Sequence, residues 1–144
     1  MKINFKHKNI HHCQAVVLCC IDFRFWRGSI EFVEKQLGVI DFDFPSLPGA
    51  AKTLNEGSDL AWKCLSVPIE LHGAKKIIIV NHQDCGAYGG SEKFSVDPEA
   101  EQKFHEGELK KAKEKILAKY PDKEVVLIYA RLVDGEENIE FLTV

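Results

Sequence analysis

Short runs of apolar residues along this chain predict the strands of a β-sheet. Gln14–Ile21 and Lys75–Asn81 have uninterrupted apolar, largely β-branched centres, which is typical of strands covered on both faces. Val125–Leu132 is a third run of this kind. Val39–Phe44 alternates apolar and acidic residues and predicts a half-buried strand, and Ile139–Val144 predicts a last strand.

Apolar positions at helical spacing predict helices between these strands. Ser29–Leu37 shows that spacing, and Gly38 is a suitable stop signal. Asn55–Leu71 is mostly helical in pattern, but Pro68 is expected to kink it or divide it into two shorter helices. The stretch Asp97–Lys119 begins with a capping Asp-Pro pair and predicts a long helix.

The alternation of strands and helices predicts an α/β fold with a mainly parallel central sheet flanked by helices. A turn at Asp134-Gly135 suits an antiparallel edge strand at the C-terminus. The 144 residues are expected to form one domain with a sizeable core. Between the predicted strands, Gln83–Ser95 is interpreted as a glycine-rich loop.

Composition and charge argue against several classes of partner. The chain is 45% hydrophobic and 28% charged, with a formal net charge of -3, so no general attraction to nucleic acid or anionic membrane is expected. Its apolar runs are too short to cross a bilayer. Residues 1–8 are basic without an apolar signal core behind them, which predicts a cytoplasmic protein. In that reducing compartment, five cysteines are expected to be metal ligands, nucleophiles or core residues.

Two motifs that follow predicted strands predict a metal site. Cys20 comes at the end of the first strand, and His82 and Cys85 come after a later one. In a parallel sheet these strand ends lie at the same edge, where open α/β sheets bind their ligands. Two thiols and one imidazole suit zinc, and three protein ligands leave a fourth position open, as in catalytic sites.

Asp22 and Arg24 lie within the first motif and extend the predicted chemistry beyond metal binding. A carboxylate next to a metal can orient a bound water, or it can itself occupy the open position. A guanidinium can hold that carboxylate through paired hydrogen bonds. An ordinary surface ion pair is the alternative, but its place within the motif favours a functional pair.

Other cysteines and histidines are interpreted structurally. Strand alternation turns Cys19 to the face opposite Cys20, and Cys64 lies on the apolar face of a predicted helix, so both are expected in the core. The tripeptide His11-His12-Cys13 has the side chains to bind metal, but we interpret it as part of a solvated N-terminal segment.

The paired motifs resemble those of the β-class carbonic anhydrases. The similarity is carried by Cys20-Ile21-Asp22-Phe23-Arg24 and His82-Gln83-Asp84-Cys85-Gly86-Ala87, in that order and with a matching strand and helix pattern between them. It is good from about residue 14 to residue 90 and weak between residues 91 and 119. The resemblance implies zinc on the three ligands named above and an Asp22–Arg24 dyad. It also implies reversible hydration of carbon dioxide to bicarbonate by zinc-bound hydroxide, in a homodimer or higher homo-oligomer.

The chain also departs from the family pattern near the expected substrate pocket. The residue before the motif arginine is usually small in the family and is Phe23 here. An Arg-Asn-Ala-Gly-like segment is replaced by residues 44–51. The candidates for the substrate pocket are Phe23, Phe44, Gly86 and Tyr88. The favoured alternative for most of the aromatic residues is a place in the core or at a subunit interface.

These departures leave two alternative functions open. Apolar aromatic residues near the first motif would suit a related zinc hydrolase acting on carbonyl sulfide or carbon disulfide. The missing segment would suit a non-catalytic protein that binds zinc or bicarbonate. Turnover of these substrates by zinc-loaded protein separates the three functions.

Overall fold

A five-stranded sheet organises the molecule. The computed structural model describes Asn4 and residues 6–144, so part of the basic N-terminal segment lies outside the described residues. The strands are β1 (Ala15–Cys19), β2 (Phe42–Asp43), β3 (Lys76–His82), β4 (Glu124–Val133) and β5 (Asn138–Thr143). Their order is β2-β1-β3-β4-β5, all parallel except β5, which pairs antiparallel with β4. The predicted α/β class and the antiparallel C-terminal edge are confirmed.

Helices and short turns connect the strands. The helices are α1 (Trp26–Lys35), α2 (Ala51–Asn55), α3 (Asp59–Leu71) and α4 (Pro98–Lys119). The loop after β3 contains two 3-10 turns, Gly86–Tyr88 and Ser91–Phe94. Among the described residues, no helix is both long and apolar enough to span a membrane.

Both faces of the sheet are buried, because the strands carry apolar residues at successive positions. One core packs α2, α3 and α4 against residues such as Val16, Leu18 and Ile79. The other covers the alternate residues, among them Val17 and Cys19, with α1 and aromatic side chains. This two-sided burial explains why the central strands show no polar alternation.

Helix α1 begins three residues earlier than predicted. The helical spacing of apolar residues in the sequence predicts a start at Ser29. In the structure Ser29 is buried within the helix, and its hydroxyl donates to the Phe25 carbonyl at 2.9 Å. A serine that bonds back one turn in this way is compatible with a helix interior.

Strand β2 is much shorter than the predicted Val39–Phe44. Pro45 has no N–H to donate to a ladder, so regular pairing stops after Asp43. The chain nevertheless continues beside β1. The Cys19 N–H donates to the Pro45 carbonyl at 3.1 Å, and the Leu47 N–H donates to the Cys19 carbonyl at 2.9 Å. These bonds place the Pro48-Gly49 loop next to the end of β1.

The predicted helix at residues 55–71 begins later, at Asp59, and is not broken at Pro68. Asn55 is instead the last residue of α2, a short helix that was not predicted, so a break separates the two helices. The break comes at Gly57, whose φ of +78° lies in the left-handed region, and Ser58 then caps α3 by accepting the Ala61 N–H at 3.3 Å. Helix α3 continues through Pro68, which is buried against the core. Tertiary packing outweighs the one backbone hydrogen bond that a proline removes.

Candidate metal centre

The ends of β1 and β3 bring the three predicted ligands together. The two strands pair in parallel with Cys19 opposite Val80, so Cys20 leaves the sheet beside the last residues of β3. A tight turn after His82 then returns Cys85 to the same place. The ligand atoms of Cys20, His82 and Cys85 all lie within 4.8 Å of one another, and all three residues are buried.

The two thiols have the spacing that a tetrahedral zinc ion requires. The Sγ atoms of Cys20 and Cys85 are 3.8 Å apart and are not joined in a disulfide. Two sulfurs bound to one tetrahedral ion at ~2.3 Å would lie ~3.8 Å apart. The backbone N–H of Gly49 donates to the Cys20 sulfur at 3.3 Å, a contact that stabilises a thiolate.

His82 presents an unpaired nitrogen to these sulfurs. Its Nδ1–H donates to the Gln83 carbonyl at 2.6 Å, which leaves the lone pair on Nε2. Nε2 is buried and has no hydrogen-bond partner. The ring is held in place by stacking on Phe25, with centroids 4.0 Å apart. A buried imidazole with one nitrogen fixed by a carbonyl and the other bare is the usual form of a metal-ligating histidine.

The two thiols differ in acidity. The Cys85 S–H and neighbouring donors lower the pKa of Cys20, whereas donation to Cys20 and burial raise the pKa of Cys85. Without a metal, the two sulfurs share one proton. A bound metal ion would take the place of that proton, because metal ligands are thiolates. The donor set of two sulfurs and one nitrogen therefore fits zinc, and among the described residues this buried trio has no fourth protein ligand.

Asp22 lies beside the cluster and is bound to Arg24. The guanidinium donates from Nη2 to Asp22 Oδ2 at 2.6 Å and from Nε to Oδ1 at 3.0 Å, and the Arg24 N–H donates to Oδ1 at 2.9 Å. Arg24 holds the pKa of the Asp22 carboxyl below its usual range. Asp22 is therefore an ionised acceptor in a fixed orientation.

Asp84 is a third member of this ion-pair group, which the sequence analysis did not single out. Its Oδ2 accepts from Arg24 Nη1 at 2.9 Å, and its carbonyl accepts from Nη2 at 3.1 Å. The Ser91 N–H and then Arg24 hold the pKa of Asp84 below its usual range. Arg24 therefore binds one carboxylate that follows β1, that of Asp22, and one that follows β3, that of Asp84.

Glu101, in the first turn of α4, accepts hydrogen bonds from the loop that follows β3. It is 1% exposed, and it accepts the Asp84 N–H at 2.7 Å and the Ser91 hydroxyl at 2.6 Å. The sequence analysis did not predict this contact either. The sequence did contain a signal for it. Glu101 and His105 lie at helical spacing with Leu109, on the buried face of α4. Polar residues on an apolar helix face indicate a buried network.

A second group of buried hydrogen bonds is centred on Asn81, near the end of β3. Asn81 Nδ2 lies 3.3 Å from His105 Nδ1 and donates to the Tyr88 hydroxyl at 3.3 Å, while Asn81 Oδ1 accepts the Ala51 N–H at 3.2 Å. Burial lowers the pKa of His105 to about 4, so the ring is neutral near pH 7. These bonds join the end of β3 to α2 and α4.

The four predicted pocket residues take different positions. Tyr88 is buried against Cys20 and Cys85, and Gly86 is exposed on the same loop. Phe23 is 81% exposed. Phe44 packs beside Phe42, with ring centroids 6.2 Å apart, on the core that covers the α1 face of the sheet.

Of the two cysteines that were expected in the core, one prediction is confirmed and one is wrong. Cys19 is fully buried in the core of the α1 face, as expected from strand alternation, with its Sγ 3.4 Å from the Ser29 hydroxyl. Cys64 was expected in the core but is only half-buried and lines a surface cleft with Val67. It lies on the outward side of α3, because Leu65 and Ile69 turn toward the sheet.

Comparison with known proteins agrees with this geometry. Residues 10–141 match the model of a family described as "Putative carbonic anhydrase". The chain belongs to this family. It is a divergent member with the fold of the β-carbonic anhydrases.

Two relatives of similar sequence have no described function. An uncharacterized protein of Rickettsia conorii is 32% identical over 127 residues, which are 82% of this chain and 67% of that protein. An uncharacterized protein of Rickettsia bellii is 35% identical over 127 residues, with 82% and 76% covered. These relatives support membership of the family without adding an activity.

Solved structures with the same fold include β-carbonic anhydrases. Isoform I from Trichomonas vaginalis superposes with a TM-score of 0.63 at 16% identity, covering 98% of this chain and 87% of that one. The enzyme CafA of Aspergillus fumigatus gives 0.61 at 14% identity, with 91% and 76% covered. Tetrameric β-carbonic anhydrases from Sordaria macrospora give 0.52 at 12% identity, with 90% and 80% covered. At these identities the likeness establishes the fold.

Proposed function

We propose that this protein is a zinc-dependent carbonic anhydrase that reversibly hydrates carbon dioxide to bicarbonate. The observation that carries the proposal is the bare, buried Nε2 of His82 facing two thiols at tetrahedral spacing. An ionised carboxylate clamped by an arginine lies next to this trio. Residues 1–144 would act as one zinc domain.

In this proposal Cys20, His82 and Cys85 hold the zinc ion. When bound, zinc acts as a Lewis acid that makes water a nucleophile near neutral pH. Two thiolates cancel the charge of the ion, so water activation depends more on neighbouring groups than it does with three neutral histidines. Asp22 is the group placed to assist.

Asp22 would accept a hydrogen bond from the attacking water and orient it toward carbon dioxide. Arg24 keeps the carboxylate ionised, and it uses Asp84 as a second anchor so that the pair does not rotate freely. The same contacts oppose movement of Asp22 onto the metal, because both of its oxygens already accept hydrogen bonds from Arg24.

We also propose a homo-oligomer in a reducing, cytoplasmic compartment. The large side chains of Ile21 (55% exposed) and Phe23 (81% exposed) flank the candidate dyad. Such exposed apolar residues are commonly covered by a partner. The Sordaria macrospora proteins of this fold are tetrameric.

Zinc content tests the ligand set. Cys20→Ser, His82→Ala and Cys85→Ser are each expected to lose one equivalent of zinc relative to Cys64→Ser, a matched change at a half-buried cysteine outside the cluster. Atomic spectroscopy after dialysis measures the loss. Wild-type zinc content in any one of the three variants would remove that residue from the site.

Turnover tests the substrate. Zinc-loaded protein is compared on carbon dioxide, carbonyl sulfide and carbon disulfide under the same conditions. The proposal predicts the highest kcat/KM for carbon dioxide. A higher value for a sulfur compound would identify the related hydrolase, and bound zinc without turnover of any of the three would identify a non-catalytic protein.

A further inference from the structure

A second cluster of metal-ligand side chains lies at the opposite end of β1. Cys13, Asp43 and His72 place one ligand atom each within 4.8 Å of one another. Cys13 precedes β1, whereas Cys20 follows it, and seven residues of extended chain span ~23 Å. The cluster is thus separate from the candidate metal centre.

Three elements fix the position of these side chains. The Cys13 N–H donates to the His72 carbonyl at 3.0 Å, which fastens the entry to β1 to the end of α3. Asp43 pairs with Val16 at the sheet edge, so its carboxylate faces the same corner. All three residues are half-buried, unlike the exposed His11 and His12 that precede them. The expectation of a solvated segment therefore fails at Cys13.

The distances suit a tetrahedral ion with little adjustment. Cys13 Sγ donates to Asp43 Oδ2 at 3.5 Å. A sulfur at ~2.3 Å and an oxygen at ~2.0 Å from one tetrahedral ion would also lie ~3.5 Å apart. His72 Nδ1 is 2.6 Å from the same oxygen and would have to move outward by roughly 0.7 Å to reach the ~3.3 Å of two bound ligands.

The surroundings leave room for an ion and a further ligand. A cleft of about 340 Å³ opens onto the three residues, and a second cleft is lined by Cys13 and His72. The edge of the His11 ring packs on His72, with centroids 4.9 Å apart. Water or a small anion would reach a bound ion through the first cleft, which all three residues line.

We propose that Cys13, Asp43 and His72 form a second divalent-metal site, and that zinc is the ion this donor set favours. One thiolate, one carboxylate and one imidazole are borderline ligands of the kind zinc accepts. Binding replaces the two hydrogen bonds to Asp43. Starting from a neutral His72, the Cys13 proton is released to solvent and the His72 proton moves to Nε2, so one proton leaves for each ion bound. This inference does not depend on the proposed function.

Metal stoichiometry is the first test. After equilibrium dialysis against buffered zinc, the wild type is expected to hold two equivalents. Cys13→Ser and His72→Ala should hold one, and Cys13→Ser combined with Cys20→Ser should hold none. Cys13→Ser retains a hydroxyl that can donate to Asp43, so the fold is expected to persist. One equivalent in the wild type, unchanged by Cys13→Ser, would overturn the proposal.

Cobalt gives an independent spectroscopic readout. In the variant Cys20→Ser/Cys85→Ser, Cys13 is the thiol expected to bind added Co²⁺ and to give a thiolate-to-metal charge-transfer band in the near ultraviolet. Further replacement of Cys13 by serine should abolish the band. Cys64→Ser and Asp41→Asn, a carboxylate on the same cleft but outside the cluster, should leave it unchanged. Absence of the band in the starting variant, or its persistence without Cys13, would contradict the proposal.

Discussion

At the scale of single residues, the candidate centre is defined by which atoms have partners. His82 Nδ1 is bonded and Nε2 is not, and the two sulfurs lie at a spacing that one ion explains. The sequence predicted these three side chains from strand ends alone. The orientation of the imidazole was not predictable, because it depends on the Gln83 carbonyl and on stacking against Phe25.

Asp22→Asn is expected to separate metal binding from turnover. The amide would keep the size of the carboxylate but lose its charge and its strong acceptor capacity toward Arg24 and water. Zinc content should equal that of the wild type, and carbon dioxide hydration should fall roughly 100-fold or more. Asp84→Asn, which removes the charge from the second carboxylate bound to Arg24 but keeps the contact to the backbone carbonyl, should reduce turnover less. Wild-type rates for Asp22→Asn at every pH would contradict the role of the dyad.

His105 is expected to make the protein less stable in mild acid. Its pKa is lowered by burial from 6.5 to about 4, so in this interval the unfolded chain binds a proton that the folded chain does not. The free energy of unfolding should therefore fall as the pH decreases from 6.5 to about 4, by up to ~1.4 kcal/mol per pH unit from this group. Urea denaturation of the wild type and His105→Phe at several pH values measures the difference. Parallel pH curves for the two proteins would show that His105 titrates normally.

At the scale of elements, the strands were more predictable than their surroundings. β3 and β4 were placed within a residue or two, because a short, continuous apolar run between turn signals is typical of a strand buried on both faces. Errors arose at helix boundaries. Helix α1 begins before Ser29, whose hydroxyl donates to the Phe25 carbonyl one turn earlier, and Gly57, with its left-handed backbone, separates α2 from α3 where Pro68 was expected to make the break. The spacing of apolar residues reports neither feature.

The join between α4 and the loop after β3 is the element-scale feature that sequence analysis missed. Glu101 links residues 84 and 91 to the helix only after the chain has folded. In the sequence, the only indication of this role is a charged residue on an apolar helix face. We consider Glu101 a positioning residue, since it acts through Asp84 rather than on substrate.

Glu101→Ala is expected to destabilise the protein and disturb the loop. It leaves the Asp84 N–H and the Ser91 hydroxyl without their buried acceptor, which costs about 2 kcal/mol or more. Glu99→Ala, an exposed position in the same helical turn, should cost about 0.5 kcal/mol or less. Urea denaturation compares the two variants. Equal stabilities would show that the buried carboxylate is not needed to hold the loop.

At the scale of the whole molecule, the fold places two sets of metal-ligand side chains at opposite ends of one strand. The set at the carboxyl end is buried and has a charged dyad beside it. The set at the amino end is half-buried and faces a cleft. A parallel sheet accounts for the first placement, because successive strand ends meet at one edge. The second depends on the way the end of α3 folds back to the start of β1.

Association of subunits is expected to involve the exposed aromatic next to the dyad. Wild-type protein should be a dimer or larger in size-exclusion chromatography with light scattering. Phe23→Asp should shift it toward a smaller species, because a charge at an apolar contact is costly to bury. Ile40→Asp, at a position 61% exposed outside both motifs, is the control and should not change the mass. A monomeric wild type would contradict the proposed oligomer.

The central claim is zinc-dependent hydration of carbon dioxide by the centre at Cys20, His82 and Cys85. Stopped-flow hydration by zinc-loaded protein from about pH 7 to about pH 9, with Cys20→Ser as the blank, tests it most directly. Turnover is expected to require zinc, to rise with pH and to be absent from the blank. No turnover above the blank at the alkaline end, with zinc bound, would contradict it.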